Sequence, residues 1–338
     1  MSNPEFLQIV SQGKDLSEDQ AFDALTAFLN DEISKEVFRN YLVALFKKGE
    51  VTAELVGTAR ALLQAGATLD SKWPDLVDTA GTGGDQKGTF NFSTATAFVL
   101  AGAGCHVAKH GNRAVTSKSG SADILQALGL KLDLNLEQVK TCLDEIGMAF
   151  LFAPQFYPIF AKVGPIRKSL EHRSIFNFMG PLLNPARAPY QLLGVYDRKF
   201  VRPMAEAALD LGSKSTVVVN SLDGMDEFSL TSKAHVCHVK DGSIKEFEFD
   251  PRESGYSFCD ITDLKGGTPE ENAERMKLTL KGHSMPLDHV VHVNAAWALV
   301  ACEKAETFMD GLLMAQQSVS SGAAYHKLEE LVEFTNRN

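Results

Sequence analysis

The chain has 338 residues, 44% hydrophobic and 22% charged, an ordinary globular balance with room for about two domains. Its 33 Lys and Arg against 43 Asp and Glu leave a net charge of −10, which argues against nucleic acid as a partner. Apolar runs break well short of the ~18 residues of a membrane helix, and the opening MSNPEFLQIVSQGKD has no signal-peptide pattern, so no membrane is expected either. The cysteines (Cys105, Cys142, Cys237, Cys259, Cys302) are odd in number and form no CxxC pair, which predicts buried free thiols in a reducing cytoplasm.

The first seventy residues read as helices. Ser17-Glu18-Asp19-Gln20 is a capping box ahead of Phe22, Leu25, Phe28 and Leu29 at helical spacing. Ser34 opens a second helix with Val37, Tyr41 and Leu45 inward, and Thr52 is read as the cap of a third with Leu55, Leu62 and Leu63. From Trp73 the pattern changes. Residues 75–78 read as a strand, a helix starts near Ser93, residues 105–108 read as a second strand, and a helix follows through Ala122, Ile124, Leu125 and Leu128. Strand, turn, helix and strand again is the pattern of a parallel α/β sheet. The prolines at 154, 158, 165, 181, 185 and 189 suit short connecting helices. Val217–Asn220 reads as a buried strand, 235–249 as a β-ribbon turning at Asp241-Gly242, and the end as helix.

Three turns carry the chemistry. Gly81-Thr82-Gly83-Gly84-Asp85 leads to Thr89, Asn91, Ser93 and Thr94. Glycines let backbone N–H groups approach an anion, and the helix start adds further N–H groups and hydroxyls, which suits phosphate. It matches neither GxGxxG nor GxxxxGK[ST], and a lone glycine cluster is equally a structural turn. The second turn runs from Lys109 to Asp123, with His110, Asn112, Arg113, Ser117, Lys118, Ser119 and Ser121 between a strand and a helix. In an open parallel sheet both turns face the crevice at the strands' carboxyl ends. The third is Asp223-Gly224-Met225-Asp226-Glu227-Phe228. Alone it is an exposed acidic turn; beside two phosphate-type loops it points to Mg²⁺. His235 and His238 are three apart on a strand, so they face opposite ways and cannot share a metal; His289 and His292 meet the same objection if 290–294 is extended.

Together, DTAGTGGD with TFNFST, KHGNRAVTSKSGSAD, GPIRKSLEHRSIFNFMGPLLNPA and GMDEFS resemble the anthranilate phosphoribosyltransferase family of tryptophan biosynthesis, in order, spacing and over nearly the whole chain. The resemblance implies an α/β fold: a small all-helical domain (residues 1–72 and 157–181) plus a larger α/β domain with a mainly parallel central sheet (73–156 and 182–338). It implies a cytoplasmic homodimer that transfers the 5-phosphoribosyl group of 5-phosphoribosyl 1-pyrophosphate to anthranilate, with Mg²⁺. Carried over by position, Gly81, Gly84, Asp85, Thr89, Asn91, Ser93, Thr94, Lys109, Asn112, Ser117 and Ser121 would hold the donor. Ser93, Asp226 and Glu227 would serve the metal, and Lys109, Asp226 and Glu227 the catalysis. Gly81, Asn112 and Arg167 would line the anthranilate site, with Arg167 on the carboxylate. The chain departs from the family pattern at Tyr157 and Ala161, which replace His and Lys, at Ser169-Leu170-Glu171, which replaces Glu-Leu-Gly, and at Thr116, which replaces Ser. Tyr157 in the histidine position can still stack on a ring.

Two other readings fit less. A pyrimidine nucleoside phosphorylase would show a lysine-bearing turn of the type DKHSTGGVGD, where this chain has DTAGTGGD and an acidic pair. A non-catalytic nucleic-acid binder would need a basic face.

Overall fold

The computed structural model describes residues 4–114 and 118–337. Four helices come first: α1 (Glu5–Ser11), α2 (Glu18–Leu29), α3 (Lys35–Lys48) and α4 (Thr52–Ala65). The capping box forms as its spacing predicts, with reciprocal bonds between Ser17 and Gln20, and Ser34 caps α3 by accepting the Val37 N–H. Thr52, however, is not a cap. The Glu54 carboxylate accepts the Val51 N–H in that role, and the Thr52 hydroxyl donates to Glu206 instead. Glu54 is fully buried, and it also accepts the Leu16 N–H and pairs with Lys48 at 3.1 Å. One acid thereby ties the start of α2 and the end of α3 to α4.

The rest of the chain builds one seven-stranded sheet. In chain order it runs β1 (Val77–Gly81), α5 (Phe92–Gly102), β2 (Val107–Gly111), α6 (Ser121–Ala127), α7 (Leu136–Ile146) and β3 (Met148–Phe152). Short helices α8 (Ala153–Phe156), α9 (Phe160–Lys168) and α10 (Phe176–Leu182) follow, the last two with Pro165 and Pro181 inside them. Then come β4 (Tyr190–Gly194), α11 (Val201–Asp210), β5 (Ser215–Ser221), β6 (Ala234–Lys240) and β7 (Ser243–Phe249). Helices α12 (Pro269–Leu280), α13 (Leu287–Ala301), α14 (Phe308–Ser320) and α15 (Ala323–Arg337) complete the chain. The sheet order is β3-β2-β1-β4-β5-β6-β7, parallel through β5 and antiparallel beyond, as the mainly parallel expectation has it.

The first two strands lie further along the chain than apolar content predicts, so both polar motifs begin inside the sheet. The reason is a buried polar layer. The Asp78 carboxylate accepts the N–H groups of Thr79 and His110 and pairs with His110 Nδ1 at 2.5 Å, while His110 Nε2 faces the Gly180 carbonyl oxygen at 2.6 Å. Satisfied in this way, polar side chains stand in central strands without the cost of an orphaned group. Residues 290–294 are not extended: they belong to α13, so His289 and His292 share a helix face, with ring centroids 6.4 Å apart.

The helical bundle depends on close approach of α2 and α4. A Cβ on the buried Gly57 would stand 2.1 Å from the Glu18 carbonyl oxygen and 2.9 Å from the Ala21 Cβ. Gly57→Ala gains about 1 kcal/mol of helix propensity but meets backbone, an overpacking that costs about 1–3 kcal/mol. We expect net destabilisation and a thermal midpoint lower by a few degrees; a raised midpoint would show that the two helices part freely.

Candidate active site

Strand order reverses at β1. The chain goes from β1 outward to β2 and β3, then returns to place β4 on the other flank, so the crevice beyond β1 and β4 is a topological switch point. Gly81 and Gly194, the last residues of these strands, are register partners. The loop after β5 folds back across both. A Cβ on Gly194 would lie 1.5 Å from the Asp226 carbonyl oxygen, and one on Gly81 would lie 2.4 Å from Asp226 Oδ2. The glycine pair is therefore the seat of the acidic loop, a purpose beyond the approach to an anion that the glycine turn suggests.

From there the first turn wraps the carboxylate. The Gly83 N–H donates to Asp226 Oδ2 at 2.7 Å, with Gly83 and Gly84 both left-handed (φ 62° and 77°). Arg173 donates to the Gly84 carbonyl while its guanidinium stacks 3.8 Å above the Tyr196 ring. Asp85 accepts the Lys87 N–H through Oδ1, and its Oδ2 is enclosed with no partner among the described residues. Thr89 bridges Lys265, and the Gly88 carbonyl accepts the Gly266 N–H, so residues 265–267 brace the turn. Asn91 links the loops: its amide donates to the Ser119 carbonyl and its oxygen accepts from Asn272, which in turn accepts the Gly267 N–H.

At the start of α5 the Ser93 N–H donates to Glu227 Oε1 at 3.2 Å. Thr94 is fully buried, its N–H bonded to the Asn91 carbonyl and its hydroxyl without a partner among the described residues. As placed, Thr94 offers neither group to the crevice, unlike its expected role. Lys109 is also turned inward. It is 1% exposed and donates to the Thr79 carbonyl at 2.6 Å and to Ser93 Oγ at 3.5 Å, and burial lowers its pKa to about 8 against the pull of Asp78 and Glu227. It supports Ser93 from beneath rather than facing the turn.

The second loop is closed at its neck by Asp123, which accepts the Ala114 and Gly120 N–H groups and pairs with Arg113 at 3.0 Å. Asn112 is exposed and Ser121 half-buried at the head of α6; Ser117 lies outside the described residues. Arg167 on α9 is half-buried, its guanidinium 5.9 Å from the Phe176 ring centre, with no ion pair among the described residues, and burial lowers its pKa. Tyr157 is not free to stack on a ligand. It is 2% exposed, its ring laid on Gly66, where a Cβ would stand 2.2 Å away.

Electrostatically the crevice is over-supplied with acid. Burial raises the pKa of Asp85, Asp226 and Glu227; repulsion from Asp85 adds to this at Asp226, which reaches about 6, and from Asp226 and Asp85 at Glu227, which lies well above the usual range. Three crowded, all-oxygen acids, each with a single N–H on it, are a donor set that suits a hard dication. Glycine turn, α5 start, Lys109, Asp226 and Glu227 thus meet in one place. Sequence reasoning missed Gly194, Arg173, Asn272 and the Asp78–His110 pair. Gly194 closes an apolar strand as Gly81 does, a usable signal; the others have none.

This is the architecture of an enzyme that handles a phosphorylated sugar. Residues 4–66 match the family described as glycosyl transferase family, helical bundle domain, and residues 73–325 match its a/b domain. An anthranilate phosphoribosyltransferase of Desulfatibacillum aliphaticivorans is 44% identical over 334 residues, 99% of either chain, and one of Symbiobacterium thermophilum is 44% identical over 331 residues, 98% of this chain and 97% of the other. The crystal structure of the Thermus thermophilus anthranilate phosphoribosyltransferase superposes with a TM-score of 0.93 at 38% identity, covering 98% of this chain and 100% of that one. The Saccharomyces cerevisiae enzyme in complex with PRPP and Mg superposes at 0.90 with 28% identity, covering 100% and 99%. The chain belongs to the anthranilate phosphoribosyltransferase family.

Gly194→Ala tests the seat of the acidic loop. A displacement of about 1 Å at a reacting site costs about 10²-fold in rate, so kcat/KM should fall by that order. Gly164→Ala on α9, where a Cβ meets nothing within 4 Å, should leave it unchanged. Equal rates for both variants would unseat the assignment.

Proposed function

We propose that this crevice performs the family's reaction in this chain: the bond from the ribose C1 to pyrophosphate breaks, the anthranilate nitrogen bonds to C1, and N-(5-phosphoribosyl)anthranilate and pyrophosphate leave. The single observation that carries this reading is the convergence of an open-backbone glycine turn, a helix start and three crowded acids at the switch point. In this reading Gly81, Gly84, Asp85, Thr89, Asn91, Ser93, Asn112, Ser117 and Ser121 hold the donor, with Asn91 acting also as the brace between loops. Asp226, Glu227 and Ser93 would hold Mg²⁺, which supplies counter-charge for the pyrophosphate when bound. Lys109 steadies Ser93 and adds positive field from below.

Arg167 completes the acceptor side. A half-buried guanidinium without an ion pair among the described residues suits a carboxylate that binds in two-point fashion, and in this reading Gly81 and Asn112 would line the same pocket. The arylamine is neutral at pH 7, so attack needs alignment and charge neutralisation more than a tuned base. We further place residues 157–181 with 1–72 as the helical domain: Lys162 reaches the Leu29 carbonyl and Asp31, and Phe176 packs edge-on to Phe38. The half-buried Phe6 and Ile9 of α1 and Val37 and Ala44 of α3 are the face we assign to a homodimer. Among the described residues no helix is long and apolar enough to cross a membrane, and the five free thiols suit the cytoplasm.

Loss of anthranilate fluorescence on the purified chain should require both 5-phosphoribosyl 1-pyrophosphate and Mg²⁺, and Asp226→Asn with Glu227→Gln should abolish the Mg²⁺ response. No loss with both present would end the reading. Arg167→Ala should raise KM for anthranilate about tenfold or more while moving the donor KM far less; equal shifts would remove Arg167 from the carboxylate. Light scattering should give twice the 36.8 kDa chain mass, and a monomer would refute the dimer.

A further inference from the structure

Away from the crevice, the described residues bring three side chains of different ligand chemistry to one spot on the ribbon of β6 and β7. His235 and Cys237 are two apart on β6 and so share a face, and Cys237 is the antiparallel register partner of Glu246. One ligand atom from each lies within 4.8 Å of the other two. His235 Nε2 and Glu246 Oε1 are 2.7 Å apart, and His235 Nδ1 is enclosed with no partner among the described residues. Glu246 Oε2 is turned toward Arg202 at 3.7 Å, and Arg202 is itself held by Glu206 at 2.8 Å, so the carboxylate is aimed from behind. Cys237 is fully buried whereas the Glu246 side chain is 45% exposed, which gives the cluster a closed floor and an open outer side. His238 faces the other way, onto Ser215 Oγ at 3.0 Å. The strand alternation that parts the two histidines is what joins His235 to Cys237.

We propose that His235, Cys237 and Glu246 form a binding site for a borderline dication of the Zn²⁺ class. An imidazole, a thiolate and a carboxylate are the donors of a four-coordinate zinc site with water in the fourth position, and sulfur disfavours Mg²⁺. On binding, the Cys237 S–H proton leaves to solvent and a metal–sulfur bond forms; thiolate and carboxylate together balance the two positive charges. The ion would staple the two strands at the sheet edge, with Arg202 orienting the carboxylate from outside the coordination sphere.

The test uses the full chain in excess Mg²⁺, which occupies the oxygen-only acids, with Co²⁺ as the probe. Co²⁺ should produce a near-ultraviolet thiolate charge-transfer band that saturates at one ion per chain and is displaced by Zn²⁺. Cys237→Ser and His235→Gln should abolish the band, and Glu246→Gln should weaken Co²⁺ binding by about tenfold or more. Anthranilate turnover should persist in all three variants. Glu246 faces solvent, so its variant reports on binding even if a Cys237 change disturbs packing. A band that survives Cys237→Ser, an affinity unmoved by Glu246→Gln and His235→Gln, or no band with Co²⁺ in large excess would each overturn the proposal.

Discussion

A buried aspartate, its backbone seated on one glycine and its carboxylate on the facing one, organises this molecule's chemistry. Asp226 occupies the space that side chains on Gly81 and Gly194 would fill, and it draws the Gly83 N–H onto itself at 2.7 Å. Taking a carboxylate out of water costs several kcal/mol, whereas one hydrogen bond to a charged acceptor returns about 1.5–3 kcal/mol. A single N–H on each of Asp226 and Glu227 therefore leaves a deficit, and the raised pKa of both acids expresses it. The helix dipole at Ser93, Arg173 and buried Lys109 reduce that deficit without closing it. The loop holds its shape because its backbone is anchored elsewhere: Asn294 clasps Phe228 by both N–H and C=O, and the Ser221 hydroxyl donates to the Glu227 carbonyl.

A second polar layer couples the two sides of the crevice. Burial pushes Asp78 upward, yet His110 beside it more than reverses this; burial likewise pushes His110 down, and the Asp78 charge and hydrogen bond more than restore it. Both directions describe an ion pair inside the sheet. Its far end is the Gly180 carbonyl on α10, and Gln191 reaches the Pro181 carbonyl from β4. Ahead of α10 on the same segment stand Arg173, gripping the glycine turn, and Arg167 on α9. The segment carrying α10 and Arg173 is consequently fastened to β2, to β4 and to the glycine turn.

How far the residue order alone reveals this follows from the same polar layer. Helix starts at Ser17 and Ser34, the ribbon turning at Asp241-Gly242 and the parallel sheet are local signals, carried by capping oxygens and period-two apolar patterns. Strands β1 and β2 are displaced from their expected places because Asp78, Thr79, Lys109 and His110 are polar and buried at once; only a partner distant in sequence makes that tolerable. Arg173 and Asn272 were invisible for the same reason, since each acts on a loop tens of residues or more away. The glycine turn and the acidic loop were legible as motifs, but the fit between them required the register of β1 against β4. Tyr157 shows the opposite error: an aromatic in a substrate segment reads as a ring stack, and the helix end at Gly66 claims it first.

The distribution of hydrogen bonds also bears on what kind of catalysis the crevice can perform. His110 has a partner on both ring nitrogens, and Lys109 is committed to the Thr79 carbonyl and to Ser93. These two nitrogen bases are thus engaged in structure. What the crevice turns outward is different: glycine backbone, Asn112, and acids held close enough together to need a cation. Such a site lowers a barrier by fixing charge and orientation in advance rather than by proton transfer, and a reaction whose leaving group is an anion and whose nucleophile is already neutral is the kind it can accelerate.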